Sequence, residues 1–522
     1  MKKKRVYIYD STLRDGTQGE GINLSCTDKI LIAKKLDELG IDYIEGGWPG
    51  SNPKDVEFFE RIKDVGLKYS KVAAFGSTRH SKNKPEDDLN LTKLVESETP
   101  IITIFGKTWL LHVKEALRVS AETNLKMIDD SIRFLKSFGR EVIFDAEHFF
   151  DAYKDDPMYA LTALTAAANA GADCLALCET NGGCIPQEVC GIMTAVCDKF
   201  PDVKIGFHGH NDSACGVANS LMAVSTGAEH IQGTINGIGE RCGNADLTGI
   251  IPGLVLKMGC KTSVNLKKLT EISKYVDEIT NGIHNKRQPY TGQSAFTHKG
   301  GIHVSAIQRN EQTYEHIKPE TVGNKQRVLV SELSGKSNVL FKTKKLGIKL
   351  DAKGKAIKRV LEEVKKKEHL GYEYEAADAS LELLIKKALG EFVSSFEVLG
   401  FRVIDEDRQG SIISEATVKA QVKGVEEHTA AEGDGPVNAL DQALRKALRP
   451  FFPVLETISL IDYKVRVLPG DILTGTAAKV RVFVESSDGK NIWGTVGVST
   501  NIIEASYEAL IDSIEYKLMK GE

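Results

Sequence analysis

Two histidines at alternate positions, His208 and His210, end a short apolar run, and an Arg-Asp pair, Arg14 and Asp15, follows another such run near the start of the chain. In a strand the period-2 pleat turns residues i and i+2 to one face, so both imidazoles face the same way. Two neutral imidazoles a few ångströms apart suit a divalent metal. A carboxylate from Asp15 would complete a His₂-carboxylate site that leaves positions open for water or substrate. The plainer alternative is a pair of histidines hydrogen-bonded within a loop. Arg14, always charged, is suited to meet an oxygen that gains charge during a reaction; its plainer role is an ion pair at the rim.

For these residues to meet, strands far apart in sequence must end in one place. From residue 6 to about 260 the chain alternates eight short apolar runs, at 6–10, 43–46, 72–75, 101–105, 142–145, 174–177, 205–207 and 230–235, with amphipathic helical segments such as 28–39, 53–65, 158–170, 186–200 and 216–226. Turn signals, Leu39-Gly40 and Ala170-Gly171, close two of the helices. This order predicts a (β/α)₈ TIM barrel; a doubly wound open sheet is the alternative. A barrel carries its chemistry at the carboxyl ends of its strands. Those ends hold Arg14-Asp15, Glu147-His148, Glu179-Thr180-Asn181, His208, His210 and the loop 236–244. The loop's glycines lack dinucleotide spacing and context, and suit close backbone approach to a metal, a substrate or a phosphate.

The 522 residues, 41% apolar and 27% charged with net charge −4, are those of a globular chain of several domains and argue against nucleic-acid or anionic-membrane partners. After Met1-Lys2-Lys3-Lys4-Arg5 the apolar run is short and broken by Asp10, unlike a signal peptide, and no span approaches the ~20 apolar residues of a membrane helix. A cytoplasmic protein is expected. All nine cysteines fall in the first half with no paired spacing, as expected of reduced thiols.

Three motifs, Ser11-Thr12-Leu13-Arg14-Asp15-Gly16, His208-Gly209-His210-Asn211-Asp212 and Gly237-Ile238-Gly239-Glu240-Arg241-Cys242-Gly243-Asn244, together resemble the acetyl-CoA-dependent 2-oxoacid synthases, the family of the 2-isopropylmalate, citramalate and homocitrate synthases. The resemblance continues at 300–303, 334–338 and 493–506, and the stretch 44–55, around Trp48 and Pro49, is most similar to the citramalate branch. It implies a metal-dependent Claisen-type condensation of acetyl-CoA with pyruvate, giving (R)-citramalate and CoA. Isopropylmalate synthase, homocitrate synthase, a lyase or aldolase on the same barrel, and an inactive amino-acid sensor are the alternatives. It implies Asp15, His208, His210 and Asn244 as ligands of Mg²⁺, Mn²⁺, Co²⁺ or Zn²⁺, and Thr180 as donor to the substrate carboxylate. For the base it offers His303 with Tyr314, reaching in from a partner subunit of a homodimer, or Glu147; the reading favours His303 with Glu147 as its local partner. Bulky Phe75 and Phe105 at strand ends suit a short acceptor. Where the family continues Gly-x-His with a small residue and an acid, this chain has Val304-Ser305.

The expected domains are a catalytic barrel over 1–265, a mostly helical linker over 266–385 and a C-terminal α+β domain over 386–522. In the linker, 266–280 and Lys355–His369 read as helices. In the last domain, strands at 396–405 and 414–422 precede a helix at 437–448, and strands at 458–467 and 479–484 precede one at 502–517. This is a twofold ββα pseudo-repeat whose helix starts, Asp434-Gly435-Pro436 and Ser499-Thr500-Asn501, are equivalent. Dimerisation alone is one reading. The resemblance implies allosteric feedback by isoleucine, whose carboxylate would suit helix N-termini.

Overall fold

The computed structural model describes residues 4–329, 336–345, 355–408, 410–468 and 478–521; Ser334 and Gly335 of the 334–338 motif lie outside them, as do residues 1–3. The chain forms two compact units, residues 1–296 with 317–326, and residues 297–316 with 327–522.

The first unit is a closed barrel of parallel strands in sequence order: β1 Tyr7–Asp10, β2 Tyr43–Gly47, β3 Lys71–Ser77, β4 Ile101–Lys107, β5 Glu141–Glu147, β6 Cys174–Glu179, β7 Lys204–Gly209 and β8 His230–Gly233. Pairing of β1 with β8, Tyr7 opposite His230 and Asp10 opposite Gly233, closes the ring and excludes the open sheet. Tyr9, Tyr43, Ile101, Ile143 and Cys174 fill the barrel's interior, while Leu36, Phe58, Ile104, Phe144 and Phe207 belong to the larger core between strands and helices. The helices begin where the sequence supplies caps. Ser25 and Asp28 form a capping box ahead of Cys26–Leu39, and Gly40, in the left-handed region at φ 89°, ends that helix.

In the second unit, helices Gly301–Arg309, Lys336–Lys345, Lys355–His369 and Asp378–Leu389 and a parallel pair of short strands, β9 Thr297–His298 and β10 Arg327–Val328, precede two antiparallel sheets. The first sheet is β11 Glu397–Arg408, β12 Ser411–Val422 and β13 Val425–Gly433, followed by helix Pro436–Leu448. The second is β14 Ser459–Val467, β15 Val480–Ser487 and β16 Ile492–Ser499, followed by helix Ile502–Lys520. The twofold repeat is present, and each half is βββα rather than the expected ββα. Both third strands hide their signal. β13 carries Glu426, Glu427, His428 and Glu432 and buries none of its residues fully, so it reads as a loop. β16 has Gly494 and Gly497 where a Cβ would run into the backbone oxygens of Ala376 and Ala505, and these two glycines interrupt the β-branched Ile492, Thr495, Val496 and Val498 that would otherwise announce a strand.

Candidate active site

β1 ends in an aspartate whose side chain turns the chain. Asp10 accepts the Thr12 backbone N–H and hydroxyl, each at 2.9 Å. The turn brings Arg14 and Asp15 to the carboxyl end of the barrel, where β7 presents His208 and, one residue past its end, His210. Asp15, His208 and His210 are 3%, 5% and 5% exposed. His208 Nε2 lies 3.2 Å from His210 Nε2 and 3.3 Å from Asp15 Oδ2, and one ligand atom from each residue falls within 4.8 Å of the others. Burial opposes ionisation of Asp15, but Arg14 and the two imidazoles outweigh it and hold its carboxyl well below the usual range. Burial and the neighbouring His208 push His210 down to about 4, so its ring is neutral at physiological pH.

Two ring nitrogens meeting across a short gap beside an ionised carboxylate form a cluster of lone pairs that a divalent cation satisfies. A further oxygen is available. Loop residue Gly243, at φ 90° with Gly237 O against its open side, lets Asn244 pair with His210 in an antiparallel bridge, and the buried Asn244 Oδ1 has no hydrogen-bond partner. The donor set of imidazole, carboxylate and amide oxygen fits a divalent metal.

Arg14 is held by Glu45 on β2, Nη2 to Oε2 at 3.1 Å, with the Ser11 hydroxyl donating to the same carboxylate. Its guanidinium stacks 3.8 Å from the centroid of Phe75. Phe75 and Phe105 stack at 5.6 Å, and Trp48 meets both edge-on at 5.9 and 5.6 Å. These rings wall one side of a cavity of about 230 Å³ that Arg14, Asp15, Glu147, Thr180, His208 and His210 also line. The Thr180 hydroxyl accepts the His148 backbone N–H at 2.9 Å, which leaves its own hydrogen to donate. Glu147 is ion-paired with Lys107.

His303 and Tyr314 belong to the second unit, where their rings stack at 4.1 Å and both are exposed. Three buried residues went unnoticed in the sequence: Glu45, Asp145 and Gln232. Each is a polar residue within an apolar strand, the signal that marks them, and only a closed barrel shows that they share one interior.

A closed parallel barrel with a buried carboxylate and two histidines at the strands' carboxyl ends defines the class: a (β/α)₈ enzyme with a candidate metal centre. The sequence matches the HMGL-like family over residues 5–276, a homocitrate synthase post-HMGL domain-like family over 290–371 and the LeuA allosteric (dimerisation) domain over 375–518. It is 57% identical over 521 residues to an (R)-citramalate synthase of Geobacter sulfurreducens, covering 99% of this chain and 98% of that one, and 54% identical over 523 residues to an (R)-citramalate synthase of Aquifex aeolicus, covering 99% of both. A 2-isopropylmalate synthase of Methanocaldococcus jannaschii is 34% identical over 521 residues, 99% of this chain and 96% of that one. The chain belongs to the HMGL-like family, in the group of the (R)-citramalate and 2-isopropylmalate synthases. Among the described residues no helix is long and apolar enough to cross a membrane.

Proposed function

We propose that the protein condenses acetyl-CoA with pyruvate in a Claisen-type reaction and, after hydrolysis of the thioester, releases (R)-citramalate and CoA. The observation that carries this is the joining of the buried Asp15, His208 and His210 cluster to a cavity walled by Trp48, Phe75 and Phe105, in a chain about half identical to citramalate synthases along nearly all its length. These relatives are synthases, which disfavours a lyase or aldolase.

A divalent cation, Mg²⁺, Mn²⁺, Co²⁺ or Zn²⁺, held by Asp15, His208, His210 and Asn244, would supply Lewis-acid polarisation of the keto group. Arg14, fixed by Glu45, offers its guanidinium to the oxygen that gains charge as the new carbon–carbon bond forms. The Thr180 hydroxyl, its acceptor side already occupied by His148, donates to the pyruvate carboxylate. The aromatic wall fits a methyl and crowds a longer acceptor side chain. A base must remove a proton from the acetyl methyl: His303 with Tyr314, delivered by the partner subunit, takes that role, with Glu147 assisting from the barrel; such a base contributes ~10²–10⁴-fold.

The domains proposed are the catalytic barrel at 1–265, the linker at 266–385 and a regulatory, dimerising domain at 386–522 that binds isoleucine as feedback inhibitor, in a cytoplasmic homodimer. Calorimetry of the full chain with isoleucine tests the regulatory part, and absence of heat contradicts it. The catalytic part is tested by release of CoA from acetyl-CoA with pyruvate, before and after chelation of metal.

A further inference from the structure

Behind His208 lies a hydrogen-bonded chain that the proposed reaction does not use. His208 Nδ1 is 2.9 Å from Gln232 Oε1, Gln232 Nε2 donates to Asp145 Oδ1 at 2.9 Å, and the same nitrogen lies 3.4 Å from His230 Nε2. All three are buried: Gln232 is 0% exposed, His230 1% and Asp145, which also borders the cavity, 3%. β7 and β8 set His208 directly opposite Gln232, and β5 brings Asp145 from farther round the barrel wall.

The amide of Gln232 has two faces, one that donates and one that accepts. An ionised Asp145 only accepts, so it takes the NH₂ face; burial holds the His230 ring neutral, pushing it down to about 3, so it is available to accept the other N–H. The oxygen of Gln232 is thereby left for His208, and an oxygen can only accept. His208 must then carry a proton on Nδ1, which leaves Nε2, the nitrogen facing Asp15 and His210, as the one that would offer its lone pair to a cation.

We infer that Gln232, clamped by Asp145, is the positioning residue that fixes the tautomer and ring orientation of His208 for a divalent cation. The inference rests on the cation site proposed above and adds what makes one of its ligands competent. Partners of this kind behind a ligating histidine change metal affinity by ~10–100-fold when removed.

The test is titration of Mn²⁺ alone into the metal-stripped full-length protein, with free Mn²⁺ read by electron paramagnetic resonance. It is done at pH 8, above the value of about 7 to which burial raises Asp145. Gln232→Met, of similar volume but without an acceptor, weakens Mn²⁺ binding ~10–100-fold. The paired swap Asp145→Asn with Gln232→Glu restores it to within a few-fold, because Glu at 232 accepts from His208 while Asn at 145 donates to Glu; a role in packing alone predicts no such rescue. Wild-type affinity in Gln232→Met, or no recovery in the swap, overturns the inference. Should Gln232→Met fail to fold, nitrogen-15 correlation spectra of the histidine-labelled, Zn²⁺-loaded wild type decide it: a proton on His208 Nδ1 supports the inference and one on Nε2 overturns it. If the wild type binds neither Mn²⁺ nor Zn²⁺, or Asp15→Ala binds as tightly, the cation site itself is what fails.

Discussion

Arg14 and Glu45 form an ion pair at 3.1 Å in which the carboxylate is wholly buried and the guanidinium nearly so. A planar fork on a carboxylate sets the direction of the remaining N–H groups, which a flexible ammonium cannot do. Arg14→Lys keeps the charge opposite Glu45 and loses that direction. It is expected to lower kcat by ~10²–10³-fold, the size seen when one donor to a developing oxyanion is removed. Arg14→Ala, which strands the buried carboxylate, is expected in addition to destabilise the fold by ~3–5 kcal/mol. Steady-state rates and denaturant unfolding separate the two effects. An Arg14→Lys enzyme with undiminished kcat contradicts the assigned role.

Trp48, Phe75 and Phe105 wall the proposed acceptor pocket and touch one another, so shortening one is expected to open space that the others do not refill. Because Phe75 also lies under Arg14, Phe105 is the cleaner position. Phe105→Ala is expected to raise kcat/KM for 2-oxoisovalerate relative to pyruvate by at least ~10-fold, the scale on which one or two methylenes are discriminated in an apolar pocket. An unchanged ratio would place the acceptor's side chain elsewhere.

His230 is buried against Tyr9 and Tyr43, with ring centroids 5.2 and 5.5 Å away. Burial, then the charges of Lys204 and His208, push it down to about 3. An unfolded histidine titrates near 6.5, so between those values the unfolded chain binds the extra proton, and this contribution to stability is present above pH ~6.5 and lost as pH falls. Asp10 and Asp145, raised to about 7 by burial, act in the opposite sense, their contribution being present at low pH and lost as pH rises toward 7. The wild-type slope is therefore a sum, and a variant isolates one part. His230→Asn should flatten the acid-side loss by up to ~1.4 kcal/mol per pH unit between pH 6 and 4. Parallel curves for the two proteins would show that His230 does not titrate as assigned.

The exposed, stacked pair of His303 and Tyr314 is proposed to serve the partner subunit's barrel. Mixing inactive Asp15→Ala with inactive His303→Ala subunits then restores part of the activity once subunits exchange. Confirmed exchange without recovery argues against shared sites.

The barrel was legible because each strand from β1 to β8 is a compact apolar run, and Asp15, His208 and His210 because they stand where such runs end. Glu45, Asp145 and Gln232 were not, since nothing next to a lone polar residue in a strand announces its partner; the partners here, Arg14, His208 and the Asp145–Gln232 pair itself, lie 24 to 87 positions away. β13 and β16 escaped for the reasons their residues give: charge on one, glycine on the other. The stacking of Tyr314 on His303 depends on a ten-residue approach through helix Gly301–Arg309 that spacing alone does not define.

The central claim is the acceptor. With metal-replete enzyme and acetyl-CoA, thiol release is followed against pyruvate, 2-oxoisovalerate and 2-oxoglutarate, and the product is resolved on a chiral column. The highest kcat/KM is expected with pyruvate, with (R)-citramalate as product and loss of activity on chelation. A higher kcat/KM for 2-oxoisovalerate, or full activity in a metal-stripped sample, contradicts the claim.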